Sequence, residues 1–280
     1  MAADARSETS GQALKGVFSD PAWLKKSALG AVVNMIPYVG VIWLTGFGLH
    51  YQRAVALGQP DRLPEWTHFE PQLKTGFYAF IVGLVYSLPL GLVGSAVAVV
   101  GIAGAMVGVA ATEELAWLIL AGVISFVLLM FSSVLYGILL WPVYVHVQLH
   151  DNISSGFAFT EIYGRAKAHS GTYWTVARRA IALGLLSMTV VLVLMALGFG
   201  GAAFLAFAAL PEELYGMASL VMTPVQLLVG VLGSLVSVPI AFATNRLWGQ
   251  YARIAYGLGV DAEPDRGPQS SAEPDLEPAS

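Results

Sequence analysis

Two long stretches without a positive charge constrain this chain more than any other feature. Lysine and arginine fall into four blocks: Arg6, Lys15, Lys25 and Lys26; Arg53, Arg62 and Lys74; Arg165, Lys167, Arg178 and Arg179; and Arg246, Arg253 and Arg266. Between Lys74 and Arg165, and again between Arg179 and Arg246, there is no cation. A helix crosses a bilayer in about 20 apolar residues. Each stretch holds apolar sequence for a pair of such helices and is interrupted once by paired acids, Glu113-Glu114 and Glu212-Glu213. The pattern predicts a helical hairpin in each, with spans at 76–101 and 115–143, then 180–206 and 218–244. The cationic blocks all fall on one side, which the positive-inside bias makes cytoplasmic, and both termini lie there.

Composition supports the same class. Hydrophobic residues make up 56% of the 280 and charged residues only 11%, against about 25% charged in ordinary soluble domains. There is no cysteine, which removes disulfides, thiolate metal sites and thiol nucleophiles. The expected fold is an all-α integral membrane protein of four transmembrane helices in two parallel-repeat hairpins. A polar tail over 1–16 precedes a membrane domain over 17–259, and a disordered acidic tail over 260–280 follows, repeating Ala-Glu-Pro-Asp. The repeat rests on Glu-Glu-Leu at 113–115 and 212–214, on Pro142 and Pro239 late in the second helices, and on Trp66 and Trp174 ahead of each hairpin.

The first apolar segment, 27–51, breaks the pattern because cations flank both its ends. Its centre carries Asn34, Pro37 and Gly40, which disfavour a continuous helix. It reads either as a re-entrant helical hairpin or as a kinked span that violates the charge bias once.

Several motifs carry a resemblance to a known family. Phe18-Ser-Asp20-Pro21-Ala-Trp23-Leu24-Lys25-Lys26, Ile36-Pro37-Tyr38, Leu63-Pro64-Glu65-Trp66, Lys74-Thr-Gly76-Phe77 and Phe157-Ala-Phe159-Thr-Glu161-Ile162 stand in this order. Together they resemble the domain-of-unknown-function family 4013 of bacterial and archaeal polytopic membrane proteins, over roughly 17–258. The resemblance implies a membrane location and assigns no catalytic residue.

Candidate site residues are few. His146 and His150 are four apart, so they share a helix face and could share a metal ion with Asp151, Glu161 or His169. The plainer reading is two amphipathic side chains where a helix leaves the membrane. The four predicted spans hold no ionisable group, which counts against ion-coupled pumping. Gln226, beside Pro224, and Asn34, beside Pro37, are the polar groups expected to face a cavity or ligand. No cofactor, nucleic-acid or nucleotide motif occurs. The segment 151–179 reads as one or two interfacial helices that attract anionic lipid. The expected function is a non-enzymatic scaffold or accessory subunit acting from the cytoplasmic side, with membrane lipids and other membrane proteins or a cytoplasmic protein as partners. The alternative is a passive channel or a transporter of an apolar or lipid-like substrate.

Overall fold

The structure, a computed structural model, describes residues 8–59, 62–112, 116–209 and 218–258. Among these, every regular element is helical: α1 (Ser10–Phe18), α2 (Trp23–Asn34), α3 (Val39–Ala56), α4 (Phe69–Thr112), α5 (Ala116–His150), α6 (Phe159–Ala168), α7 (Ser170–Ala209) and α8 (Ala218–Ala255), with a 3-10 turn over Ser154–Phe157. Residues 10–16, read as polar tail, belong to α1. Thr9 and Gln12 cap it reciprocally, Thr9 Oγ1 accepting from Gln12 N and Gln12 Oε1 from Thr9 N. Residues 170–179, read as interfacial, are the first turns of α7. The acid pairs at 113–114 and 212–213 and the tail after 258 lie outside the described residues.

The four long helices pair antiparallel. A Cβ on Gly83 of α4 would press on Tyr144 and Tyr136 of α5, and Tyr136 donates to the Gly83 carbonyl at 2.8 Å. On α7 and α8, Gly198 faces Val229 while Val191 faces Gly233. The core sits at one end of this assembly, where Phe47, Tyr51, Phe242, Leu247, Trp248 and Tyr251 are fully buried. Toward the other end the same helices turn apolar side chains outward: Leu92, Phe131 and Leu197 are 70%, 67% and 70% exposed. Ser170–Gly198 and Thr223–Ala255 are long and apolar enough to cross a membrane, and only 11% of the most apolar stretch of the former is buried. A helix apolar all round yet this exposed is not the core helix of a water-soluble fold.

The segment 27–51 is broken at Met35–Tyr38, and the chain doubles back there. In one continuous helix, Gly30 and Leu44 would stand about 21 Å apart. Instead, a Cβ added to Gly30 would lie 3.4 Å from Leu44 Cδ1. The reversal is a γ-turn: Val39 N donates to Pro37 O at 2.7 Å, with Tyr38 at φ 60° and ψ −59°. Gly40 is required beside it, because any Cβ there would overlap the Val33 carbonyl. Gly46 and Gly76 similarly let the α3 and α4 backbones touch, each glycine facing a carbonyl of the other helix.

Both feet of this helical hairpin are fastened at the same place. Asp20 Oδ1 accepts from Ala22 N at 2.7 Å and opens α2, while Asp20 Oδ2 accepts from Leu63 N at 2.9 Å. Buried Lys26 donates to Asp20 Oδ2 (3.1 Å) and Leu63 O (2.6 Å) and forms an ion pair with Glu65 Oε1 at 3.0 Å. A second clamp joins Glu8 to Arg246 of α8, at 2.7 and 2.8 Å, with Arg179 donating to the Glu8 carbonyl.

Burial by itself would raise the Asp20 pKa, but the hydrogen bonds from Ala22, Lys26 and Leu63 outweigh it and hold it below its ordinary value. A depressed carboxyl contributes stability that is present above its unfolded pKa and lost as pH falls through its folded one. Asp20→Asn leaves Lys26 only the exposed Glu65 as counter-ion and is expected to cost roughly 3 kcal/mol, with Asp20→Asn/Lys26→Met recovering part of the loss. Thermal unfolding in detergent at neutral pH measures both, and the gap between wild type and Asp20→Asn is expected to close as pH falls through the depressed pKa of Asp20.

Candidate functional site

At the buried end the two hairpins are held together by aromatic residues. Trp141 of α5 stacks on Trp248 of α8 at 5.7 Å, and Tyr173 of α7 donates to the Ile138 carbonyl of α5 at 2.5 Å. Beyond these contacts α5 diverges from α7 and α8, leaving a groove of about 590 Å³. Its walls are α5 from Val134 to Trp141, α7 from Ala177 to Leu192, and α8 from Ser237 to Trp248. Width comes from small residues: a Cβ on Gly184 would meet nothing within 4 Å, and one on Gly137 would meet only Trp141.

The chemistry of the lining is almost wholly apolar, and no titratable side chain contributes to it. Thr244 donates at 3.0 Å to the Ile240 carbonyl, and Ser237 donates to that of Gly233. Both hydroxyls are thereby satisfied within α8. Trp248 Nε1 is different: it is buried and has no hydrogen-bond partner. A buried, unpaired N–H costs about 1–3 kcal/mol; the Trp248 side chain is fully buried, so this group is not open to the groove.

The amides singled out from the sequence lie next door. Gln226 lines a smaller cavity of about 330 Å³ between α7 and α8, which shares Val191 and Ser237 with the groove. Asn34 does not line it but donates to Ser234, which does, at 3.2 Å. Pro37, in the turn at the tip of the hairpin, lines neither cavity. The groove itself was missed, although Ala177, Ala180, Gly184 and Ser187 recur at helical spacing along one face of α7.

His146, His150 and Glu161 come together at the foot of α5, with one ligand atom from each lying within 4.8 Å of the others. Of the other expected ligands, Asp151 is paired with Lys74 at 2.8 Å, and His169 is not in the cluster. Burial, and then the neighbouring His150, push the His146 pKa below 6.5, while Glu161 works the other way. Arg165, hydrogen-bonded to Glu161 at 2.9 Å, lowers the pKa of that carboxyl.

Fold and site thus define an all-helical protein with two helices able to cross a membrane and an apolar groove beside them. The family model DUF4013, described as "Protein of unknown function", matches residues 29–199, so the chain belongs to that family. The matched span covers the hairpin turn, the Leu63–Trp66 loop and Glu161, and leaves out Asp20, Lys26 and all of α8. No curated protein and no solved structure matches the chain.

Proposed function

We propose that this is a four-span membrane protein with cytoplasmic termini whose interhelical groove binds a lipid-like molecule without transforming it. The groove is the observation that carries this reading: about 590 Å³, apolar, walled by three helices and free of titratable lining groups. Pockets of this size hold small molecules. A helix about 10 Å across would fill the same volume in about five residues, so the groove suits a chain-like ligand better than a partner's transmembrane helix.

In this reading α4, α5, α7 and α8 cross as two hairpins, and α2–α3 re-enters from the cytoplasmic side. Three facts support re-entry: both feet of α2–α3 meet at Asp20 and Lys26, its tip exposes Ile36, Tyr38 and Val39, and Asn34 touches α8 at Ser234. Ser234 lies about 15 Å along α8 from Thr244, near half the thickness of a hydrocarbon core. An internal duplication of the hairpins is part of the proposal. Its paired tryptophans now serve different ends, since Trp66 stacks on Phe47 at 4.1 Å whereas Trp174 is 51% exposed.

The test is purification in native lipid followed by mass spectrometry of what survives washing. About one lipid-like molecule per chain is expected. Gly184→Phe fills open space, so it is expected to leave the melting temperature unchanged and to remove that molecule. Equal retention by the variant would sink the reading, and a stoichiometric protein retained in place of lipid would favour the scaffold role.

A further inference from the structure

The cluster at the foot of α5 has a geometry that hydrogen bonding leaves unexplained. His150 Nδ1 lies 2.9 Å from the His146 carbonyl, which can only accept, so Nδ1 carries the proton. In the neutral ring Nε2 is then a bare lone pair. His146 is held from behind in the same way: its Nδ1 is 2.8 Å from the Tyr256 hydroxyl. A tyrosine hydroxyl both donates and accepts, so its oxygen can take a proton from this nitrogen in a hydrogen bond. In the tautomer that donates Nδ1–H to Tyr256, the Nε2 of His146 is a lone pair as well. It faces Glu161 Oε2 at 3.8 Å.

That separation is too long for a hydrogen bond. It is close to the spacing of two ligands on one tetrahedral ion, about 3.3 Å for bonds near 2.0 Å. The rings of His146 and His150 lie side by side, centroids 4.1 Å apart, so both nitrogens serve the same volume. Arg165 takes Glu161 Oε1 at 2.9 Å and leaves Oε2 toward the histidines. A metal-binding histidine ordinarily donates its second ring N–H to a carbonyl or other acceptor, which fixes the ring. Here the His146 carbonyl and Tyr256 stand in those positions.

We propose that His146 Nε2, His150 Nε2 and a Glu161 carboxylate oxygen bind one divalent transition-metal ion of the zinc class, with water in the fourth position. The ion would join α5 to α6. Tyr256, just beyond α8, acts through His146 as a positioning residue. The site is separate from the groove, because none of its residues lines that cavity.

The experiment uses full-length protein in detergent with any affinity tag removed, dialysed against chelator and titrated with Zn²⁺ by calorimetry. One equivalent per chain is expected. His150 and Glu161 are exposed, so His150→Ala and Glu161→Gln should fold, and each is expected to weaken binding at least about tenfold. Tyr256→Phe is expected to weaken it by about 10- to 100-fold through the outer shell. His169→Ala serves as the control and should bind like wild type. Titration with Co²⁺ should give the visible absorption of a low-symmetry site, which a purely structural role for these side chains would not produce. No stoichiometric Zn²⁺ binding by wild type, or equal binding by His150→Ala and Glu161→Gln, would overturn the proposal.

Discussion

The buried Asp20–Lys26 pair is the interaction on which the arrangement of the first half of the chain depends. It closes the turn between α1 and α2 and, through both backbone groups of Leu63, holds the loop that follows α3 against that turn. Such a pair is a poor source of net stability, since desolvating two ions offsets much of their attraction. Its contribution is specificity. With Lys26 donating to Asp20 and Leu63 and both carboxylate oxygens used, the loop has one way to sit, and α2 and α3 must stand side by side. The tip of that hairpin then lands on α8 at Ser234, and α3 runs parallel to α8, with Gly48 against Asn245 and Gly249 against Gln52.

From there the packing follows a gradient. Near the clasp, aromatic side chains from α3, α5, α7 and α8 interlock. Away from it, the described outer faces of the long helices are apolar and exposed. The groove lies at the transition, where the hairpins are still joined by Trp141, Trp248 and Tyr173 but no longer fill the space between them. Enlarging a groove residue such as Gly184 therefore costs little, whereas loss of the clasp displaces the elements that frame α8.

Much of this was legible in the sequence and some could not have been. The cationic blocks and the acid pairs placed the long helices, because charge cannot be buried cheaply in lipid. Asn34, Pro37 and Gly40 marked the break, since proline and glycine act on the backbone locally. The clasp was hidden: Asp20 and Lys26 bond to the backbone of Leu63, and a backbone partner leaves no trace in side-chain identity. The groove was hidden for a related reason. Small residues on α7 look the same whether a helix packs on them or a void adjoins them, and divergence of the hairpins decides which. The α5 histidine pair was visible, but its partner Glu161 was one of three candidates, beside Asp151 and His169, until α6 was placed.

The central claim is that α2–α3 enters and leaves on one side, so that the loop at Asp61 shares the compartment of the termini. The native chain has no cysteine, so single cysteines at Asp61, Thr112 and Gly216 can be labelled with a membrane-impermeant maleimide on intact cells and on inverted vesicles. The account predicts labelling of Asp61→Cys only from the cytoplasmic face, and of Thr112→Cys and Gly216→Cys only from the outside. Labelling of Asp61→Cys from the outside would contradict it.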